Sequence, residues 1–176
     1  KIFRKFLETC KLEFCRRKFS LMIEKEVDNF FYSIVKTEKK EYVELTEIWE
    51  NSVKATHSFL TPEDINFFKP KILNEYLYAV ELYVYKNELG NILGFIGIDE
   101  NKVEMLFIKS KYFKKGIGKK LLEYVIKNHN INELDVNEQN QNAVNFYKYM
   151  GFEVINRSEK DGFGKPFPLL HMKLNR

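Results

Sequence analysis

Gly116-Ile117-Gly118 lies among four lysines, with Lys114 and Lys115 before it and Lys119 and Lys120 just after. An apolar, β-favouring run at 103–108 enters this loop, and a helical pattern starts directly behind it. A strand, a tight glycine turn and a helix N-terminus make an anion site. The first helical N–H groups have no partner there, and the macrodipole favours negative charge. Glycine also lets backbone approach a phosphate with no Cβ in the way. The chemistry expected here is pyrophosphate binding. Two common phosphate motifs do not fit. The third glycine of a dinucleotide fingerprint would fall at Leu121. In a P-loop the first glycine would fall at Phe113, and Lys120 stands where Ser or Thr should follow the lysine.

A second motif follows within twenty residues. Residues 134–152 read L-D-V-N-E-Q-N-Q-N-A-V-N-F-Y-K-Y-M-G-F. The pattern predicts a strand over 133–136, a polar Asn/Gln loop, and a helix over about 141–150. Gly151 then suits a left-handed cap. In this order the two motifs, strand–G-x-G–helix and strand–N-x-x-A-x-x-F-Y-x-x-x-G-F, resemble the acetyl-CoA-binding core of the GNAT N-acetyltransferases. The resemblance runs over roughly residues 29–176. The helix I-W-E-N-S-V-K-A-T-H-S-F-L at 48–60 and the tail R-S-E-K-D-G-F-G-K-P-F-P-L-L-H-M at 157–172 are similar to a small bacterial subgroup, the YjaB type.

The resemblance implies an α/β fold, a mixed and mostly antiparallel seven-stranded sheet with helices on both faces. It implies an acetyl-CoA-dependent transfer of an acetyl group to a primary amine, which attacks the thioester directly. Backbone amides of Phe113, Lys114, Lys115, Gly116, Ile117, Gly118 and Lys119 would hold the pyrophosphate. Phe113 stands where the family usually has Arg or Gln, and Lys114 where Gly is frequent, so side-chain roles at this end stay open. Backbone groups of Leu106, Phe107 and Ile108 would pair with the pantetheine arm, as in strand addition. Asn137 and Asn142 would meet the cofactor from the second motif. Tyr147 would lie near the sulfur, where a phenol can donate a proton to a departing thiolate. Glu104 is the candidate base, acting directly or through water, with His57 and His171 as alternatives that titrate near neutrality. Trp49, His57, Phe59, Phe163, Phe167 and His171 are candidates to line the acceptor wall. A small-molecule or peptide amine is the expected acceptor, and a monomer or homodimer the expected state. The Phe113 departure also leaves room for a second reading, a non-catalytic module that binds acyl-CoA and regulates.

The elements that must position these groups are readable in outline. A first strand is expected over 29–36, and apolar residues at helical spacing mark 38–55. Thr61-Pro62-Glu63-Asp64 signals a helix start, and a helix pair around 59–78 would form one wall of the acceptor site. Strands at 81–86 and 92–98 are joined around Gly90, and strands at 152–157 and 169–174 close the chain. The order is β–α–α–β–β–β–α–β–α–β–β.

Composition bounds the rest. At 176 residues one domain is expected, and 44% apolar residues suffice for its core. The net charge of +4 is concentrated, because residues 1–25 hold eight Lys/Arg against three Glu. The remainder is near neutral, so no nucleic-acid partner is expected. Residues 1–28 read as a basic extension whose apolar spacing permits an amphipathic helix, with the enzyme domain over 29–176. Charges interrupt every apolar stretch there, so neither a signal peptide nor a membrane span is expected, and cytoplasm is the default. Cys10 and Cys15 have no metal-site spacing and read as reduced thiols. No metal is expected.

Overall fold

The computed structural model describes residues 32–175. The basic segment 1–28 and the first three residues of the expected first strand lie outside them.

Seven strands form one sheet in the order β1-β2-β3-β4-β5-β7-β6. They are β1 (Tyr32–Lys36), β2 (Glu81–Asn87), β3 (Ile92–Asp99), β4 (Lys102–Ile108), β5 (Glu133–Asn137), β6 (Phe152–Ser158) and β7 (Leu169–Leu174). Helices α1 (Tyr42–Thr56) and α2 (Pro62–Lys71) precede β2, α3 (Ile117–His129) follows β4, and α4 (Gln141–Tyr149) follows β5. The β4–β5 pair is parallel, while β2–β3, β3–β4, β5–β7 and β6–β7 are antiparallel. This is the mixed sheet that the sequence implied.

Each sheet face buries a separate apolar cluster. On α3, Ile117, Leu121, Leu122 and Val125 repeat at i, i+4, i+5 and i+8, so they share one face. They pack with Val144 and Tyr147 of α4 and with Ile96, Val103, Leu134, Val136 and Met172 of the sheet. Leu45, Ile48, Trp49 and Val53 of α1 pack with Ile65, Leu77, Phe95 and Met105 in the second cluster. Burying one such side chain is worth about 1.5–3 kcal/mol, so each helix is held mainly by its apolar stripe.

The expected α2 start is present. The Thr61 hydroxyl accepts from the Asp64 N–H at 3.1 Å, and the Asp64 carboxylate accepts from the Thr61 N–H at 3.2 Å. The helix pair expected around 59–78 is instead one run. α2 continues through a π turn (Ile72–Tyr76) into Leu77–Ala79. Pro70 lies inside it and has no N–H for the Asn66 carbonyl, which loosens the ladder where the wider turn begins.

Candidate active site

The decisive geometry is in β4. On its β3 side the register is Gly97↔Met105 and then Ile98↔Val103, so Glu104 is an extra, bulged residue. Val103 therefore points into the α3/α4 cluster, while Met105, two residues on, points into the α1/α2 cluster. On its other side β4 pairs with β5 only at Lys102↔Glu133 and Val103↔Leu134. Beyond the bulge the two strands part. Leu106, Phe107 and Ile108 keep their pairing with Ile96, Phe95 and Gly94, and their β5-facing edge has no strand partner among the described residues. An extended, amide-bearing arm can add to that edge and must stop where the strands rejoin, at Val103 and Leu134.

The open end of this gap faces the lysine–glycine loop. Its first half is tied to the body: the Lys109 N–H donates to Leu93 O at 2.9 Å and the Ser110 N–H to Asn51 Oδ1 at 2.7 Å. The Lys109 ammonium meets the Glu44 carboxylate at 2.9 Å. Lys114 and Gly116 are both left-handed, at φ 61° and 80°. A left-handed lysine is costly, by about 1–2 kcal/mol. By the resemblance its place is one where glycine is frequent, and a left-handed residue there is what glycine would accept without strain. The first helical bond of α3 is Lys120 N–H to Gly116 O at 3.0 Å. The N–H groups of Ile117, Gly118 and Lys119 precede it and have no intrahelical acceptor. A Cβ built at Gly116 meets nothing within 4 Å, and one at Gly118 meets only Phe146 Cζ at 3.7 Å. Protein packing thus does not demand glycine at 118, whereas a ligand against these amides would. The residues present fit a pyrophosphate.

The second motif sits across the gap. Asn140 caps α4, accepting from the Ala143 N–H at 3.2 Å. Asn137 Oδ1 accepts from the Gln139 N–H at 2.8 Å, which shapes the turn before the helix. Asn142 is exposed in the first turn of α4. Tyr147 is 8% exposed, between Phe146 and Phe152, with ring centroids at 5.2 and 6.1 Å. Burial pushes its phenol well above the ordinary tyrosine value, and its hydroxyl has no hydrogen-bond partner among the described residues.

On the other face of the sheet, Glu104 lies 3.3 Å from the Lys102 ammonium, which also holds Asp135 at 2.8 Å. Burial works against that ammonium, but the two carboxylates outweigh it and hold its pKa above the ordinary lysine value. His57 ends α1, with Nδ1 2.7 Å from the Thr56 hydroxyl. Against the neutral-range titration that its residue type predicts, burial pushes its imidazole down to about 4. Its ring packs on Phe59 at 5.2 Å, and Phe59 on Phe167 at 5.8 Å. The 159–168 loop that carries Phe167 is fastened to α2. Lys165 pairs with Asp64 and lies over the Phe67 and Phe68 rings, while Phe163 stacks on Tyr76 at 5.9 Å. Trp49 differs from the other wall candidates. It is 5% exposed and packs in the α1/α2 core.

Sequence reading missed Asp135, Lys102 and Ser158. His171 Nδ1 is 2.6 Å from Asp135 Oδ1, and His171 Nε2 is 2.7 Å from Ser158 Oγ. A signal existed only for Asp135, an acid between two buried apolar strand residues, Leu134 and Val136. Among the described residues no cluster of His, Cys, Asp or Glu could hold a metal ion. No described helix is long and apolar enough to cross a membrane.

The sequence profile of the acetyltransferase (GNAT) domain matches residues 56–175. The peptidyl-lysine N-acetyltransferase YjaB of Escherichia coli (strain K12) is 37% identical over 140 residues, covering 80% of this chain and 95% of that protein. The solution structure of apo-form YjaB superposes with a TM-score of 0.74 at 36% identity, covering 82% of this chain and 97% of the other. The PaiA N-acetyltransferase of Thermoplasma acidophilum, solved in complex with coenzyme A, gives 0.63 at 27% identity, covering 83% and 100%.

Proposed function

The chain belongs to the GNAT acetyltransferase family, and from that premise we propose that it moves the acetyl group of acetyl-CoA onto a primary amine, which attacks the thioester directly. One observation carries the reading. β4 and β5 part beyond the Glu104 bulge, and the gap opens onto an amide loop whose Gly118 has no packing reason to be glycine. Acetyl-CoA supplies a pyrophosphate for such a loop, a peptide-like arm for the free β4 edge, and an activated acetyl group for the apex.

The chain's own groups then have definite tasks. The amides of Ile117, Gly118 and Lys119, with the flanking lysines, neutralise and hold the phosphates. Leu106 to Ile108 orient the arm. Tyr147 holds its proton at neutral pH, as a phenol does, gives it to the leaving sulfur as the C–S bond breaks, and regains one from solvent through the opened cleft. Glu104 stands at the apex, where its carboxylate can draw in the ammonium form of the acceptor. His57, Phe59 and Phe167 form a wall that excludes water on the acceptor side. Among amines, a peptide lysine is favoured, since a peptidyl-lysine acetyltransferase is similar over most of this chain.

The test is calorimetric titration of the protein with acetyl-CoA, with NAD and ATP as controls. CoA release is then followed over a panel that includes a lysine-containing peptide, a polyamine and an aminoglycoside. Selective acetyl-CoA binding with amine-dependent CoA release is expected. Folded protein that binds acetyl-CoA no better than ATP would overturn the reading.

A further inference from the structure

The gap between β4 and β5 divides the sheet into two parts, and one loop crosses from the second part to the first. Residues 159–168 join β6 to β7. The loop rejoins the sheet at the end of β5 farthest from its pairing with β4. There Asn137 pairs with Leu169, and the Glu138 N–H donates to Pro168 O at 2.9 Å. From that point the loop reaches α1 and α2, which pack on β2, β3 and β4. Phe167 meets Phe59 just beyond α1 at 5.8 Å, and Phe163 meets Phe68 and Tyr76 at 5.7 and 5.9 Å. The loop therefore spans the open end of the gap on the α1/α2 face.

Internally the loop is one piece. Asp161 Oδ1 accepts from the N–H groups of Phe163 and Lys165 at 2.9 Å each. The Asp161 N–H donates to Lys165 O at 3.1 Å, and the Phe167 N–H donates to the same oxygen at 2.8 Å. Asp161 thus closes the turn without help from the Lys165 ammonium, and Lys165 and Phe167 are held to one another. The ammonium is spent on the other part of the molecule. It pairs with Asp64 Oδ1 in the first turn of α2, 4.6 Å from the Phe67 ring centroid and 5.1 Å from that of Phe68. The Phe167 ring lies at 5.9 Å from it. Both charged side chains are partly buried, so salt screens the pair and the ring contacts less than it would in the open. A contact of this kind is strong enough to hold a loop and weak enough to release it.

Resting on the acetyl-transfer reading above, we propose that Lys165 is a latch that sets acceptor specificity. Clamped by Asp64 and the Phe67 and Phe68 rings, it holds Phe167 against Phe59 as one side of a narrow passage to the gap. That passage admits an amine carried on an unbranched aliphatic stem and turns away bulky amines. The methylenes of such a stem pack on the rings while the ammonium travels ahead of them. His57, kept uncharged near neutral pH by burial, adds no positive charge against it. In this role Lys165 touches neither acetyl-CoA nor the acceptor; it is a positioning residue.

The experiment uses the full chain, acetyl-CoA and two acceptors, an Nα-blocked lysine amide and an aminoglycoside. Lys165→Met keeps an aliphatic stem and removes the charge. It is expected to raise KM for the lysine amide by about 10-fold, narrow the preference for it over the aminoglycoside, and leave calorimetric acetyl-CoA affinity unchanged. Lys165→Arg, whose guanidinium can pair with Asp64 and stack on the rings, should restore most of the preference. A folded Lys165→Met with the parent's preference overturns the inference. So does a variant that loses acetyl-CoA affinity in step with acceptor affinity, because the change is then a general loosening. Limited chymotrypsin digestion reads the latch without turnover: Lys165→Met should be cut after Phe163 faster than the parent, and equal rates overturn the latch. A parent protein that releases no CoA with any amine fails the transferase reading instead, and the digestion still decides the latch.

Discussion

Gly118→Ala separates a glycine kept for a ligand from one kept for the fold. Gly118 is the second residue of α3, and its φ is not left-handed. A Cβ there would touch only Phe146 Cζ, at an ordinary 3.7 Å. The substitution therefore introduces no clash and removes the entropic handicap of a helical glycine, about 0.5–1 kcal/mol. A chain of this size converts that gain to a rise of about 1–4 °C in melting temperature. On the proposed pyrophosphate placement, the same methyl group would crowd an anion held by the N–H groups of Ile117, Gly118 and Lys119. Losing one charge-assisted amide–phosphate bond costs about 1.5–3 kcal/mol, which is about 10- to 100-fold in affinity. A thermal melt without ligand and an acetyl-CoA titration read both quantities on one sample. The expected result is a more stable protein that binds acetyl-CoA worse. A variant that binds as well as the parent would refute the placement of the pyrophosphate. A variant that melts lower would refute the claim that the fold does not need this glycine.

Further outcomes follow from other contacts. Tyr147→Phe should lower kcat by about 10²-fold or more while stability and the acetyl-CoA dissociation constant barely move, because the hydroxyl has no hydrogen-bond partner to lose among the described residues; steady-state kinetics beside calorimetry checks it. Gly116→Glu should remove acetyl-CoA binding through a carboxylate set against the phosphates and a strained left-handed residue at φ 80°, as calorimetry would report. Gly94→Ala should destabilise the protein by about 1–3 kcal/mol in urea denaturation, since its Cβ would lie 2.9 Å from the Phe107 carbonyl oxygen, backbone that cannot yield cheaply. His57 gives a pH dependence with a defined sign: its imidazole binds a proton less tightly folded, at about 4, than unfolded, near 6.5. Its contribution is fully present above about pH 6.5 and is lost as pH falls toward 4, up to about 3 kcal/mol. Denaturation of the parent and of His57→Gln across that window should show the variant with the shallower pH slope, and equal slopes would sink the assignment.

The sequence made some of this plain and hid the rest for physical reasons. Strand β7, the α2 cap at Thr61 and the left-handed Gly151 were legible, because each depends on residues within a few positions of one another. The Glu104 bulge was not legible, because it is a property of register between β3 and β4 and no local residue announces it. The Asp135–His171–Ser158 series was hidden for the same reason. Its members come from three strands and meet only through the β5-β7-β6 order, which no periodicity encodes. Trp49 misled in the opposite direction. A large aromatic suits either a substrate wall or a core, and only its packing against the sheet makes it core. His57 kept its place beside Phe59 but not its expected titration, since burial depends on a chain fold that composition cannot supply.

The bulge also explains why one strand can serve both partners of the reaction. Without an extra residue, Val103 and Met105 would share a face, β4 would stay parallel to β5 along its length, and the sheet would close. With it, Val103 stays in the α3/α4 core, Met105 turns into the α1/α2 core, and Glu104 is left at the fork with its carboxylate on Lys102. The cost is a shortened β4–β5 ladder, two register pairs where the strands are long enough for more. What is gained is a cleft walled by the backbone of two strands, with Tyr147 in the α3/α4 cluster on one face of the sheet and Met105 in the α1/α2 cluster on the other. Deleting Glu104 should accordingly do more than remove a carboxylate. Restoring regular pairing would close the gap, so acetyl-CoA binding should vanish. Glu104→Ala, which keeps the extra residue, should retain it and lose only turnover. Equal acetyl-CoA affinity in the deletion and in Glu104→Ala would show that the cleft does not depend on the bulge.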